Sequence, residues 1–529
     1  MVHNKPYLRI LLLTAVALLC MVAGCDEPVT PVEDKSFVRL LENQKMRSEI
    51  FKVDINYAVL LPEGYETSND IYPVVYLLHG LGDNEKAWYA NLNIKYYVDL
   101  YKDEITPMIY VMPVGYNTYW ANRYTGNYPY MDMITTELVP TIDKLFRTNA
   151  DPSARAAMGY SMGGYGALIL PALNPDIFTI SVPLSMSFRT DEQYKEEPQS
   201  VFDYQWGPIF GGSGFSGEAR LTDYFKEHSP FHFFDSPTAQ SRFSSLKILL
   251  DCGDDEESLS ETNDNLHTLM RDRQIPHEYR VRNGGHTTDY WKKSIPEALK
   301  FISEGVQGIP YPTESIPVDI GTRIASSDYE TIEVAGQSLR VLKPEGYASS
   351  ANEYPTIYFI HDVGNSQANL IDVFSLFRNA MTSSKIPNAI VVEIPASEEV
   401  DSEQMNQIIQ GIESQLRAKP NRMSRTIIGN SLGGKNASEI VSENSNLFNS
   451  CFLMCAQLPD EALNPGAVFY YLDITDDGNA YKGYNNLYLK LREQEIGYEY
   501  RVRQGTESYQ SFLNGLYNSF SYLKGRLAL

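Results

Sequence analysis

Arg155-Ala-Ala-Met-Gly-Tyr-Ser161-Met-Gly-Gly-Tyr-Gly-Ala-Leu-Ile-Leu170 reads as a short apolar strand, a serine framed by glycines, and the opening turns of an apolar helix. The flanking glycines permit the sharp strand-to-helix turn that lifts a serine hydroxyl above a sheet edge and lets neighbouring backbone pass close by. A helix N-terminus under that hydroxyl favours developing negative charge. A Gly-x-Ser-x-Gly match carries little weight alone, since about 0.2 chance matches are expected in a chain of this size and glycine content. The strand before it and the helix after it decide the reading.

Working outward, residues 74–78, 108–112, 156–158, 177–182 and 246–251 are short apolar runs bounded by turn residues, as buried strands are. Residues 133–146, 263–273 and 294–303 carry helical spacing instead. Alternating β and α units predict an α/β fold with a mostly parallel sheet covered by helices on both faces.

The chain also repeats itself. Leu61-Pro-Glu-Gly-Tyr65 recurs as Lys343-Pro-Glu-Gly-Tyr347, Gly159-Tyr-Ser-Met-Gly-Gly164 as Gly429-Asn-Ser-Leu-Gly-Gly434, and Glu278-Tyr-Arg-Val-Arg282 as Glu499-Tyr-Arg-Val-Arg503. The second copy is shorter, chiefly because the first carries an aromatic, glycine-rich insert at about 187–245, a candidate lid. Residues 305–318, rich in Gly and Pro, suit a connector. The expected organisation is a domain over 36–304, a linker over 305–318 and a second domain over 319–529.

A nucleophilic serine needs a base, and in this topology an acid and then a histidine follow it in chain order. His286 is the candidate base: Tyr279–Arg282 reads as a strand and Asn283-Gly-Gly285 as the loop at its carboxyl end. His267 falls within a helical pattern and His277 before the strand, so both read as structural. The acid lies in Asp251-Cys-Gly-Asp254-Asp255-Glu256-Glu257, where any of four carboxylates could orient the imidazole.

Together, Leu78-His-Gly-Leu-Gly-Asp83, Gly159–Gly164, Asp251-Cys-Gly253 and Gly284-Gly-His286 with Tyr290-Trp291 behind it resemble the esterase family of α/β-hydrolases. That family includes feruloyl esterases, acetyl-xylan esterases and S-formylglutathione hydrolases and is related to mycolyltransferases. The resemblance spans residues 50–304 and implies Ser161 as nucleophile and His286 as base; with the internal repeat it leads to an expectation of two tandem α/β-hydrolase domains. The family's acid follows the loop glycine by three residues, which lands on Glu256 in place of an Asp and leaves Glu256 and Asp255 both open. The implied reaction is carboxylic-ester hydrolysis through an acyl-enzyme, with backbone N–H groups of Met162 and Leu81 as the oxyanion hole. His79 shapes the oxyanion turn. Tyr116, Tyr119, Trp120, Tyr124, Tyr128 and Tyr130 crowd one segment, and Tyr119, Trp120 and Trp291 are expected to contact a sugar-linked acetyl or feruloyl-type ester.

The second copy lacks this machinery. Its one histidine, His361, precedes Ser431; Glu507 stands where His286 would, Gly478 where Glu256 would, and Asp362 replaces Gly80 in the oxyanion turn. The expectation is an inactive copy kept for scaffolding, for glycan binding or for completing the first domain's cleft.

Composition bounds the rest. A net charge of −23 repels phosphate backbones, so nucleic acid is not an expected partner. Lys5 and Arg9 precede an apolar run over 10–22 too short to span a bilayer, ending in Val22-Ala-Gly-Cys25. This resembles the lipobox of bacterial lipoproteins: a signal peptide over 1–24, lipid on Cys25, and an acidic tether over 25–35. Asp26-Glu27 is similar to the surface-export signal of Bacteroidetes lipoproteins, which places the protein in the cell envelope with the membrane reached only through that anchor. Cys252, Cys451 and Cys455 are too few for a disulfide framework, and no metal motif occurs, so neither metal nor cofactor is expected. Against the esterase stand a glycan-binding protein with both copies degenerate, and an acyltransferase.

Overall fold

The computed structural model describes residues 38–361, 367–396, 400–461 and 463–527; the proposed signal peptide, the tether with Cys25, and Asp362 lie outside the described residues. The first half of the chain forms β1 (Arg39–Arg47), β2 (Asp54–Leu61), β3 (Val74–Leu78), β4 (Ile109–Pro113), β5 (Arg155–Tyr160), β6 (Ile180–Leu184), β7 (Lys247–Gly253) and β8 (Glu278–Arg282). The second half forms β9 (Glu330–Val334), β10 (Gln337–Leu342), β11 (Thr356–His361), β12 (Ile390–Pro395), β13 (Arg425–Asn430), β14 (Ser450–Ala456), β15 (Phe469–Thr475) and β16 (Tyr498–Arg503). All sixteen strands join one sheet in the order β1-β2-β4-β3-β5-β6-β7-β8-β16-β15-β14-β13-β11-β12-β10-β9. The second half of that order is the first half reversed, strand for strand, so a pseudo-twofold axis runs between β8 and β16.

Strands β3 to β8 pair in parallel, with β1 and β2 antiparallel at the outer edge. The parallel strands are apolar throughout because both faces are covered. The two-residue alternation then sorts side chains into separate cores: Tyr76, Leu78 and Ala157 pack with Leu168 of the Met162–Leu173 helix. Val75, Leu77, Ala156 and Met158 pack with Ile295 and Leu299 of the Thr288–Val306 helix on the other face.

Several elements depart from the sequence reading. β1 (RLLENQKMR) is largely exposed and shows no apolar alternation to betray it. The helix expected at 133–146 spans Tyr130–Leu145 and contains a wide π turn at Ile134–Leu138, just before Pro140 removes a backbone donor. The insert at 187–245 is a set of short helices whose aromatic residues extend the core on the serine-helix face of the sheet. Tyr194 stacks on Phe225 at 3.9 Å, and Phe188 bridges to Tyr165 of the serine-bearing helix at 4.7 Å.

The halves meet along β8 and β16, yet those strands share only the antiparallel pair Val281–Val502. Side chains make the join. Asp254, after β7, receives Arg501 Nη1 of β16 at 2.5 Å, Tyr500 N at 3.1 Å and Gly284 N at 3.2 Å. Asp476, after β15, receives Arg280 Nη1 of β8 at 2.6 Å, Tyr279 N at 3.2 Å and Gly505 N at 2.9 Å. The repeated Glu-Tyr-Arg-Val-Arg segment is therefore a reciprocal clasp, each copy gripping the other half's aspartate.

Beside the clasp, buried Asp264 accepts a hydrogen bond from Tyr500 Oη at 3.1 Å, while its Oδ2 has no partner. Burial pushes its carboxyl up to about 7 from an ordinary 3.8. A carboxyl raised in the folded state stabilises fully only below its unfolded value, and that contribution is lost as pH rises through the folded one. The expected outcome is that Asp264→Asn, which cannot ionise, gains stability relative to wild type as pH rises from about 5 to about 8. Urea midpoints that stay a constant distance apart over that range would contradict it.

Candidate active site

Ser161 follows β5 directly and has φ 57°, ψ −120°, a conformation that side-chain-bearing residues rarely adopt. Neighbours hold it there: its N–H donates to Leu184 O at 2.9 Å, and its carbonyl accepts from Ser187 N at 3.0 Å. The flanking glycines are required by contact. A Cβ at Gly159 would lie 2.1 Å from the Gly163 carbonyl oxygen, and one at Gly163 would lie 2.1 Å from that of Leu78.

At the carboxyl ends of β5, β7 and β8, three side chains converge. Ser161 Oγ lies 2.9 Å from His286 Nε2, and His286 Nδ1 lies 2.9 Å from Glu256 Oε2. Glu256 is buried, and its other oxygen accepts from Gly253 N at 2.9 Å and from Ser185 Oγ. Ser185 in turn accepts from Trp291 Nε1 at 2.8 Å. The four consecutive carboxylates are thus sorted by their surroundings. Asp254 turns to Arg501, Glu256 to His286, and Asp255 and Glu257 are exposed. Of the two acids left open by the sequence, Glu256 and not Asp255 sits against the imidazole.

The turn after β3 stands beside the serine, since a Cβ at Gly80 would meet Ser161 Cβ at 3.4 Å. His79 is buried, and burial lowers its pKa, which keeps the ring neutral. Gly115 N donates to its Nε2 at 2.7 Å, so Nδ1 carries the proton and donates to Gly80 O at 2.8 Å. A trans peptide whose carbonyl is pinned that way points its N–H, that of Leu81, to the opposite side. Met162 N is the first amide of its helix, where N–H groups have no intrahelical acceptor.

Three expected substrate contacts are placed elsewhere. Trp120 is fully buried in a slot opened by Gly115 and Gly166, where a Cβ would lie 2.3 and 2.5 Å from the indole, and its Nε1 donates to His79 O at 3.4 Å. Tyr119 is 1% exposed and packs on Trp206 of the insert at 4.8 Å. Trp291 lies behind the triad, stacked on Tyr160 at 4.3 Å and edge-on to His286 at 5.0 Å. All three are props, held by packing that sequence composition does not reveal. From the same aromatic segment, Tyr116 and Tyr124 are exposed, at 41% and 47%. Sequence reasoning missed Ser185, and also Ser187 and Gln205, which meet at the Tyr119 hydroxyl; no local motif marks them.

The other histidines have different partners: His267 Nδ1 lies 2.8 Å from His277 Nε2, and His232 faces Asp191. Among the described residues, no cluster of three or more His, Cys, Asp or Glu side chains is arranged to hold a metal ion. The three cysteines Cys252, Cys451 and Cys455 are buried and free.

In the second half, Ser431 repeats the strained turn with φ 49°, but its hydroxyl accepts from Gln457 Nε2 at 2.9 Å. Glu507 occupies the histidine's place in the sequence; burial raises its pKa, and its Oε1 is buried with no hydrogen-bond partner. His361 is buried against Glu393 at 2.7 Å.

Residues 48–302 match the family model described as "Putative esterase". An esterase of Mycobacterium tuberculosis (strain ATCC 25618 / H37Rv) is 39% identical over 115 residues, 21% of this chain and 24% of that protein. An endo-1,4-beta-xylanase/feruloyl esterase of Xylanibacter ruminicola is 33% identical over 152 residues, 27% of this chain and 21% of that protein. The chain therefore spans about a quarter of the length of these relatives. Among solved structures, a ferulic acid esterase aligns with 26% identity and a TM-score of 0.44, covering 51% of this chain and 98% of its own.

The glycine contacts generate a stability test. Gly163→Ala drives a methyl group into backbone that cannot retreat, and is expected to cost roughly 3 kcal/mol or more, or to prevent folding. Gly525→Ala, in open space, serves as the control. Chemical denaturation that finds the two variants equally stable would refute the close-approach argument.

Proposed function

Residues 48–302 belong to the esterase family, and from that premise we propose that the first half of the chain is a serine carboxylic-ester hydrolase working through an acyl-enzyme. The observation that carries the reading is the imidazole of His286 bridging Ser161 and Glu256 at 2.9 Å on each side. Ser161 Oγ attacks the ester carbonyl carbon while His286 Nε2 takes its proton. The oxyanion develops toward the amides of Met162 and Leu81, where losing one donor typically costs about 3–4 kcal/mol. Collapse expels the alcohol, which takes the proton from His286, and a water activated by the same base releases the acid. Glu256 fixes the tautomer with Nδ1–H toward itself and stabilises the imidazolium.

The substrate we propose is an acetyl or feruloyl-type ester on a polysaccharide-derived sugar. Its support is the similarity to the xylanase/feruloyl esterase of Xylanibacter ruminicola and the exposed ring of Tyr116. The loop carrying Tyr116 touches the oxyanion turn, because Asn117 Oδ1 accepts from Gly82 N at 2.9 Å. The second half is proposed to be catalytically inert, since Ser431 faces an amide and no imidazole. Anchoring through Cys25 in the cell envelope completes the reading.

The test compares variants on p-nitrophenyl acetate and with a fluorophosphonate probe. Ser161→Ala is expected to abolish labelling and lower kcat on the order of 10⁴-fold or more, with Glu256→Gln also strongly impaired. Ser431→Ala is expected to leave both readouts near wild type. Turnover that survives the first change and disappears with the last would reverse the assignment.

A further inference from the structure

Glu256 stands on a turn that the other half of the chain holds from outside. Glu257, the next residue, has φ 48° and ψ −125°, a left-handed conformation that needs external restraint in a residue with a side chain. Its carbonyl accepts from Arg492 Nη2, on the Tyr481–Glu493 helix of the second half. Arg492 Nη1 also donates to Ser260 Oγ at 2.8 Å, in the first turn of the helix that follows. Two residues before Glu256, the Asp254 carbonyl accepts from Tyr498 Oη at 3.2 Å, and the Asp254 carboxylate is in the Arg501 clasp. Asp254 and Glu257, which bracket Glu256, are thus tied across the join, while the Glu256 carboxylate is held by first-half groups.

The pseudo-symmetric mate of Arg492 is Arg271, seven positions before its own Glu-Tyr-Arg-Val-Arg segment as Arg492 is before the other. Arg271 pairs with the Asp477 carboxylate and reaches the Asp477 carbonyl at 3.3 Å. The same brace is therefore built twice, but only one of the braced turns carries an acid facing an imidazole.

We propose that Arg492 is a positioning residue for the hydrolysis assigned to the first half, fixing the Asp254–Glu257 turn so that Glu256 meets His286. This rests on the hydrolase reading and adds a role for the second half: it is the outer wall of the catalytic loop. The guanidinium needs both its forked donors, one for the strained carbonyl and one for the helix start, so a lysine can replace only part of the grip.

The test uses the full chain carrying Arg492→Ala, Arg492→Lys, Glu256→Gln and the Ala/Gln double variant. Arg492→Ala is expected to lower kcat about 10–100-fold with KM little changed, and Arg492→Lys to fall between it and wild type. In the Glu256→Gln background, the alanine change is expected to cost little further, because it acts through that carboxylate. Amide exchange over residues 253–259 should accelerate in Arg492→Ala and recover in part with lysine, a readout independent of turnover. Wild-type turnover and exchange in Arg492→Ala, or an undiminished further loss in the Gln background, would overturn the proposal. If the wild-type protein neither labels nor turns over, the hydrolase reading fails, and the exchange result alone decides whether the brace exists.

Discussion

A carboxylate moved out of water must be paired or protonated, and Asp254 and Asp476 are buried where the halves meet. Each is paired with an arginine from the opposite half, and removing one partner of such a pair typically costs about 3–5 kcal/mol because the other charge is left stranded. The backbone ladder could not make this join alone, having only the Val281–Val502 pair. Without the clasp, β8 and β16 would each be an open sheet edge, the kind that recruits other chains. With it, one half cannot turn relative to the other without unpairing a buried ion on both sides of the axis.

The clasp also reaches the chemistry. Asp254 is two residues from Glu256, so the contact that joins the halves and the contact that orients His286 lie on one short turn. Inside the first half the same carboxylate is steadied by Gly253 N–H and by Ser185, which Trp291 holds in turn. Two strained residues, Ser161 and Glu257, flank this arrangement in space, and each keeps its conformation through hydrogen bonds to a carbonyl or amide fixed elsewhere.

What was legible in the sequence was what local geometry dictates. The strand at 74–78 follows from its apolar run, and the serine turn follows from glycines at which a Cβ would come within 2.1 Å of a backbone oxygen. His286 was readable from chain order and from its glycine loop. The choice between Asp255 and Glu256 was not, because neighbouring carboxylates share one chemistry and are separated only by Arg501 and His286, which arrive from distant strands. Tyr119 and Trp120 were misread for a related reason. Aromatic density looks alike in a core and on a binding surface, and the slot between Gly115 and Gly166 exists only after folding. The Glu-Tyr-Arg-Val-Arg repeat was visible as a strand, but its arginines face a partner that period and composition do not name.

The second half fills the corresponding positions differently. Gly478 stands in place of the acid, and Glu507, in place of the histidine, is a buried carboxyl whose Oε1 has no hydrogen-bond partner. Ser431 is satisfied by Gln457. Asp476 of that loop serves the clasp. The constraint common to both halves is therefore the aspartate–arginine exchange at the join, whereas the serine–histidine–glutamate contact is formed, among the described residues, in the first half.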